Sequence, residues 1–410
     1  MKTLEDILDS NGAKPSSEFI VQSYSVEGDF NIQIANWWKK THGFKTKCVF
    51  GQQIDLYHDL VWSHVAQNGP AIEWYEGGKK RLYSYREVDQ DVEHIANIGR
   101  ANGVKRGDTV AIISARSQRR LITLLAAFRL GLIPSLIEPK GPASIAQQLE
   151  RLNCKFIYVE AAFLAGVPES MRPRVLDPSI QGVPAESTDR SVSYSSGMTA
   201  LRVLSPDDNG SPRVFSIGVE QLFLSLVRDG LFIFGLTGSS RVVSLLTSQF
   251  LPYFELSALL CGASVTMLNV SSLTSEIATE LLQLDYDLVG LDLEAAKRFQ
   301  ALVETGSPKG NWNRWFRDPL EALNYESWSQ VISALALEHT PRLDVLWQPP
   351  IPGVVFSGPW TMNRLAYDLY PAPGLSWYLG DIGNPENETL QGSGRLCYLH
   401  AEPGEEETGV

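Results

Sequence analysis

Between residues 59 and 303, short apolar runs alternate with segments whose apolar positions recur every three to four residues. The runs at 110–114, 134–138, 156–160, 241–246, 264–268, 288–291 and 353–357 predict buried strands. The periodic segments at 59–66, 85–103, 121–130, 145–152, 219–232, 253–260, 275–284 and 294–303 predict helices, several of them ending at a glycine. Residues 71–74 and 82–85 flank Glu76-Gly77-Gly78 and predict a β-hairpin. Strand–helix alternation of this kind predicts an α/β fold, with mainly parallel sheets covered on both faces.

A Pro/Ser-rich stretch at 166–191 breaks the pattern and suggests a division. The expected organisation is a lead-in at 1–50, a first α/β subdomain at 51–180 and a second at 190–370. A Gly/Pro/Glu-rich segment follows at 371–410. A second loop is expected at 305–320, exposing Trp312, Trp315 and Phe316 in a polar setting. Two readings of those aromatics stand side by side. Either they fold back onto the core, or they form a partner-binding patch.

Composition narrows the function classes. A chain of 410 residues is too long for one core, so two or three packed units are expected. The net charge of −12 argues against nucleic acid or an anionic membrane surface as the main partner. No apolar run approaches the ~18 residues of a membrane span, and the N-terminus lacks a secretory pattern. The four cysteines form no CxxC; Cys154 and Cys261 lie in apolar stretches and read as core thiols. A reducing, cytoplasmic location is expected. The six histidines show no metal-ligand spacing, and surface or capping roles are expected of His58 and His64.

The candidate chemistry lies in Leu204-Ser205-Pro206-Asp207-Asp208-Asn209-Gly210-Ser211-Pro212-Arg213-Val214, which leads into the helix expected from Val219. A loop that wraps phosphates needs small residues, so that backbone N–H groups face the anion, and a cation. Gly210, Pro212 and Arg213 keep that outline. Asp207 and Asp208 put negative charge where a polyanion would sit. One such repulsion at ~4 Å and an effective dielectric of ~20 costs ~4 kcal/mol.

Several segments resemble the adenylate-forming superfamily of acyl-CoA synthetases and adenylation domains. They are Leu82-Tyr83-Ser84-Tyr85-Arg86-Glu87, the run from Gly103-Val104-Lys105-Arg106-Gly107-Asp108 to Ile112, and residues 126–139. Gly262-Ala263-Ser264-Val265 and Val355-Phe356-Ser357-Gly358 are similar to later strands of that family. Leu251-Pro252-Tyr253-Phe254-Glu255 stands where the family usually ends a segment in an aromatic residue or His. The resemblance covers nearly the whole chain. It implies the fold of the large N-terminal domain of those enzymes, with the small lid subdomain and its lysine outside the chain.

By that resemblance the candidate nucleotide-binding residues are Asp207, Asp208, Asn209, Gly210, Arg213 and Asp381. Tyr194-Ser195-Ser196-Gly197-Met198-Thr199-Ala200 is an alternative register for the loop. Asp381 in Tyr378-Leu379-Gly380-Asp381 stands either for a segment that helps hold Mg²⁺ or for one that holds the ribose. The short separation from Ser357 favours the first. The candidate acyl pocket is Phe250, Tyr253, Phe254, Trp360 and Trp377. No metal ligands are identified.

Two functional readings follow. In the first, the chain is a degenerate homologue impaired in adenylation. It acts as a binding or scaffolding component beside a carrier protein or partner enzyme, with an acyl or carboxylic-acid ligand, in a biosynthetic system. In the second, it is the N-terminal portion of an active acid–CoA or acid–carrier-protein ligase that uses ATP and Mg²⁺ to form an acyl-AMP, its lid supplied elsewhere. An altered reaction in the old acyl pocket is a third, outlying reading.

Overall fold

The computed structural model describes residues 29–42, 45–76, 79–176, 191–206, 211–246, 252–268, 270–302, 311–317, 325–347, 351–358, 370–373, 375, 377–380 and 395–398. Helix α1 (Phe30–His42), strand β1 (Gln53–Ile54) and the short helix α2 (Leu56–Leu60) lead to the hairpin β2 (Pro70–Glu76) and β3 (Lys79–Ser84). Then come α3 (Tyr85–Ala101), β4 (Thr109–Ile113), α4 (Gln118–Arg129), β5 (Ile133–Ile137), α5 (Pro142–Leu152) and β6 (Phe156–Val159). After β7 (Tyr194–Ser195), a second hairpin, β8 (Thr199–Pro206) and β9 (Pro212–Gly218), runs into α6 (Val219–Val227). The chain continues through β10 (Arg241–Leu245), α7 (Tyr253–Leu260), β11 (Ser264–Met267), α8 (Ser275–Gln283), β12 (Leu288–Leu291) and α9 (Leu293–Leu302). The last elements are β13 (Trp315–Arg317), α10 (Tyr325–Ala334), β14 (Arg342–Trp347), β15 (Val354–Ser357), β16 (Tyr370–Pro371), β17 (Trp377–Gly380) and β18 (Arg395–Tyr398).

Local chemistry fixes many boundaries. Ser84 caps α3 and Glu87 reaches back to the Ser84 N–H, a capping box that starts the helix at Tyr85 rather than leaving Tyr85 in the hairpin. The Ser117 and Thr274 side chains cap α4 and α8 by accepting a first-turn backbone N–H. The helix expected over 219–232 divides into α6 and a π-helical turn, Arg228–Ile233.

Two sheets carry the fold. The smaller has the order β6-β4-β5-β8-β9; the larger runs β16-β15-β14-β13-β12-β10-β11-β2-β3. Pairing is parallel from β6 to β8 and from β2 to β14, with antiparallel strands at the ends. The α/β class with mainly parallel sheets is therefore as the sequence implied. The largest hydrophobic cluster lies between the sheets. It takes Leu125 and Phe128 from α4, Phe223 and Leu226 from α6, Phe254 and Leu259 from α7, and Ile112 and Val265 from one strand of each sheet.

The sheets do not follow the expected division between 180 and 190. The hairpin β2–β3 joins the larger sheet through β11, and the hairpin β8–β9 joins the smaller one through β5. A second correction concerns the loop expected at 305–320. Residues 315–317 form β13, in the interior of the larger sheet, and Trp312, Trp315 and Phe316 are all buried. Successive strand side chains point to opposite faces. Trp315 meets Trp328 of α10 at 5.7 Å, whereas Phe316 meets Phe254 of α7 at 4.8 Å. Both faces of this parallel sheet are covered, so these aromatics are core and not an exposed partner patch. Helix α10 and strand β14 were not expected from the sequence.

Candidate active-site cleft between the two sheets

In open α/β sheets, ligands collect beyond the carboxyl ends of the parallel strands. Here those ends face each other across α7. Ser114 and Arg116 follow β4, Glu138 follows β5, Glu160 follows β6, and Ser244 lies near the end of β10. Arg116 Nη2 donates to Glu255 Oε1 at 2.6 Å, joining the loop after β4 to α7. Ser244 Oγ donates to the same Glu255 oxygen at 2.8 Å, and Arg116 also donates to Ser244. Ser114 Oγ donates to Glu160 at 2.6 Å. Glu255 and Ser244 are fully buried, so this network spans the gap between the two sheets in a low-dielectric setting, where pairing is obligatory.

Beside the network lies a cavity of about 60 Å³. Arg120, Glu138 and Gln148 line one side; Arg202, Leu204 and Tyr253 line the other. Burial, followed by repulsion from Arg116, pulls the pKa of Arg120 down to about 10, while Glu138, Glu255 and Glu160 oppose the shift. Buried Arg116 Nη1, Arg120 Nε and Arg202 Nε have no hydrogen-bond partner. Arg120 and Arg202 line the cavity, and their guanidinium groups give it the charge that suits an anion such as a carboxylate.

The expected site residues fall in several places. Asp207, Asp208, Asn209, Gly210, Asp381, Phe250 and Trp360 lie outside the described residues. Most of the supposed loop is strand: Ser205 of β8 pairs with Arg213 of β9, and the hairpin leads directly into α6 at Val219. Arg213 is exposed, its guanidinium stacked 4.9 Å from the Phe215 ring. The alternative register, Tyr194 to Ala200, crosses β7 and enters β8, so it precedes the hairpin instead of the helix. Tyr253 lines the cavity. Phe254 turns away into an aromatic cluster with Phe234 and Phe316. Trp377 lies in β17 and pairs through its backbone with Tyr398 of β18.

Sequence reading missed Arg116, Arg120 and Arg202. One signal was available: Ala115-Arg116-Ser117-Gln118-Arg119-Arg120 places three arginines immediately after a buried parallel strand.

The described lining of this cavity carries positive charge that suits an anion. The cavity beside β8, about 60 Å³ on a measure by which each water needs ~10–15 Å³, takes its charged lining from Arg120, Arg202 and Glu138. Among the described residues, no three His, Cys, Asp or Glu side chains are grouped to hold a metal ion.

Comparison with known proteins agrees with the fold and with the segments of resemblance. The AMP-binding enzyme family model matches residues 62–208. Acetyl-coenzyme A synthetase 2 of Pseudomonas putida is 25% identical over 152 residues, covering 36% of this chain and 24% of that protein. Acetyl-coenzyme A synthetase of Shewanella sp. (strain W3-18-1) is 23% identical over 413 residues, covering 84% of this chain and 60% of that protein. The chain thus spans less than two-thirds of the length of these relatives. The crystal structure of Brucella canis acyl-CoA synthetase superposes with a TM-score of 0.70 at 16% identity, over 90% of this chain and 71% of that one. Residues 62–208 thus match the AMP-binding enzyme family, and the chain as a whole is acyl-CoA synthetase-like in its similarity and shares the fold of those enzymes' N-terminal domains.

Proposed function

We propose that this protein binds an acyl or carboxylic-acid ligand in the inter-sheet cleft without adenylating it. In this reading it serves as a binding or scaffolding component beside a carrier protein or partner enzyme in a biosynthetic system, in the cytoplasm. The observation that carries the reading is the Arg116–Glu255–Ser244 network. Glu255 stands where the superfamily usually has an aromatic residue or His. Its ion pair joins the two sheets where they meet, beside a cavity lined by Arg120 and Arg202. Asp207 and Asp208 act in the same direction, because adenylation depends on positioning and neutralising phosphate charge.

Calorimetric titration of Mg-ATP and AMP tests the reading. Absence of binding at millimolar nucleotide is expected, together with binding of a carboxylate that Arg120→Ala weakens. Micromolar nucleotide affinity, ~8 kcal/mol at 1 μM, would overturn it in favour of the second reading, the N-terminal portion of an acyl-AMP-forming ligase. One feature favours that second reading: Gly210, Pro212 and Arg213 keep the outline of a phosphate loop in the sequence. Pyrophosphate exchange in the presence of a supplied lid segment would then be its assay.

A further inference from the structure

The inter-sheet cavity carries more positive charge than its own residues answer. Arg116 is paired, its Nη2 lying 2.6 Å from Glu255. Arg120, in the first turn of α4, and Arg202, in β8, line the cavity. Among the described residues, neither of these two guanidinium groups makes a hydrogen bond or an ion pair. In each, Nε is enclosed, so the Nη groups are the donors left for a ligand.

The acidic groups nearby are committed. Glu138, which lines the same cavity, has Lys140 Nζ at 3.0 Å from its Oε2. Glu160 accepts from the Ser114 hydroxyl at 2.6 Å and from the Ala115 N–H at 3.3 Å. Glu255 serves Arg116 and Ser244. Once the Arg116–Glu255 and Lys140–Glu138 pairs are set aside, two positive charges remain, in a cavity whose walls include Leu136, Leu204 and Pro252. Guanidinium groups drawn partly out of water call for counter-charge.

The two cations are also separate points of attachment. Arg120 begins a helix, whereas Arg202 lies within a strand, in register with Ser135 of β5. The charges that act most on Arg120 are Arg116, Glu138, Glu255 and Glu160; Arg202 is not among them. Each planar guanidinium matches one carboxylate in a fork of paired hydrogen bonds. A monocarboxylic acid on Arg120 would set its chain in the adjoining recess of Leu121, Leu124 and Met267 and leave Arg202 unanswered.

We infer that the ligand of the inter-sheet cleft is a short dicarboxylic acid, with one carboxylate on Arg120 and the other on Arg202. This rests on the reading that the cleft binds a carboxylate, and specifies it. An amino acid fits less well, because its ammonium group would lie beside unpaired cations and would have to share Glu138 with Lys140.

The test is calorimetric titration of the full chain at pH 7.5 and constant ionic strength, where all the carboxylates are ionised. Succinate is compared with butyrate and 4-aminobutyrate, and glutarate with pentanoate. Arg202→Met and Arg202→Gln remove the charge from β8, and circular dichroism checks that each variant folds. At least one diacid should bind tenfold or more tightly than the monoacid of the same carbon number, and either variant should shrink that advantage to less than about threefold. Equal binding of diacid and monoacid, or an advantage that survives in the folded variants, overturns the inference and leaves the carboxylate reading standing. Tighter binding of 4-aminobutyrate than of succinate overturns it in favour of a zwitterionic ligand. If none of these acids binds at millimolar concentration, this inference and the carboxylate reading fall together.

Discussion

Asp229 Oδ2 accepts the backbone N–H of Val354 at 2.6 Å, while Arg228 donates to the carbonyl oxygen of the same residue at 2.7 Å. Arg228 Nε also donates to Asp229 Oδ1 at 2.8 Å. The π-helical turn after α6 thus grips both backbone groups at the start of β15, the strand that ends in Ser357. All three groups are buried, so each interaction replaces one that water would otherwise provide.

The grip dictates the neighbouring residue. Gly353 has φ +78°, and a Cβ there would lie 2.3 Å from Asp229 Oδ2. Gly353→Ala must strain the backbone and push the carboxylate off Val354. A loss of about 1–3 kcal/mol is expected from the backbone alone, with faster hydrogen exchange over 354–357. Urea unfolding and exchange mass spectrometry would measure both; unchanged exchange would mean that the grip is dispensable.

The same carboxyl gives a pH signature. Burial pushes the pKa of Asp229 up to about 6, against the pull of Arg228 and of the Val354 N–H. In the unfolded chain it titrates near its ordinary value of 3.8. Between about pH 4 and 6 the folded state keeps a proton that the unfolded state has released, so this group's contribution to stability falls as pH rises. The change is on the order of 2–3 kcal/mol across that window. The difference in unfolding free energy between wild type and Asp229→Asn should shift by that amount from pH 4 to pH 7. A flat difference would show that the charge is compensated by Arg228.

Arg116 and Glu255 form a pair that tolerates joint replacement better than single loss. Arg116→Met leaves Glu255 buried and unpaired, a cost of about 3–5 kcal/mol. The double variant Arg116→Met with Glu255→Leu should recover most of that loss. A double-mutant cycle measured by denaturant unfolding gives the coupling, and additive single effects would mean that Ser244 alone satisfies Glu255.

The two aspartates, Asp207 and Asp208, can be tested directly. If 207–210 faces phosphate, replacing both Asp207 and Asp208 by Thr removes repulsion and should raise Mg-ATP affinity at least tenfold in a calorimetric titration. Unchanged affinity would remove them from the nucleotide site.

Most elements were legible where one physical signal dominated. The helix over 253–260 and the strand over 288–291 coincide with α7 and β12, because a flanking glycine or a short apolar run bounded each. Residues 305–320 misled, since Asn311, Asn313, Arg314 and Arg317 surround the aromatics with polar neighbours. Arg317 is fully buried and donates to Asp344 of β14 at 2.7 Å, a partner 27 residues away that no local pattern reveals. The cleft was illegible for the same reason. Glu255 reads as an ordinary helix residue until folding places Arg116 beside it.

The exchange of hairpins between the sheets bears on how the molecule could be divided. Strands β2 and β3 precede the smaller sheet in sequence but complete the larger one; β8 and β9 follow residues 177–190 but complete the smaller one. A cut between residues 177 and 190 gives an N-terminal piece that holds an orphan hairpin and a C-terminal piece that holds another, each needed by the opposite piece. Neither fragment is a self-sufficient domain. Expressed together they should reassemble as a split protein, and a protease nick there should leave the two halves migrating as one particle until denaturant is added.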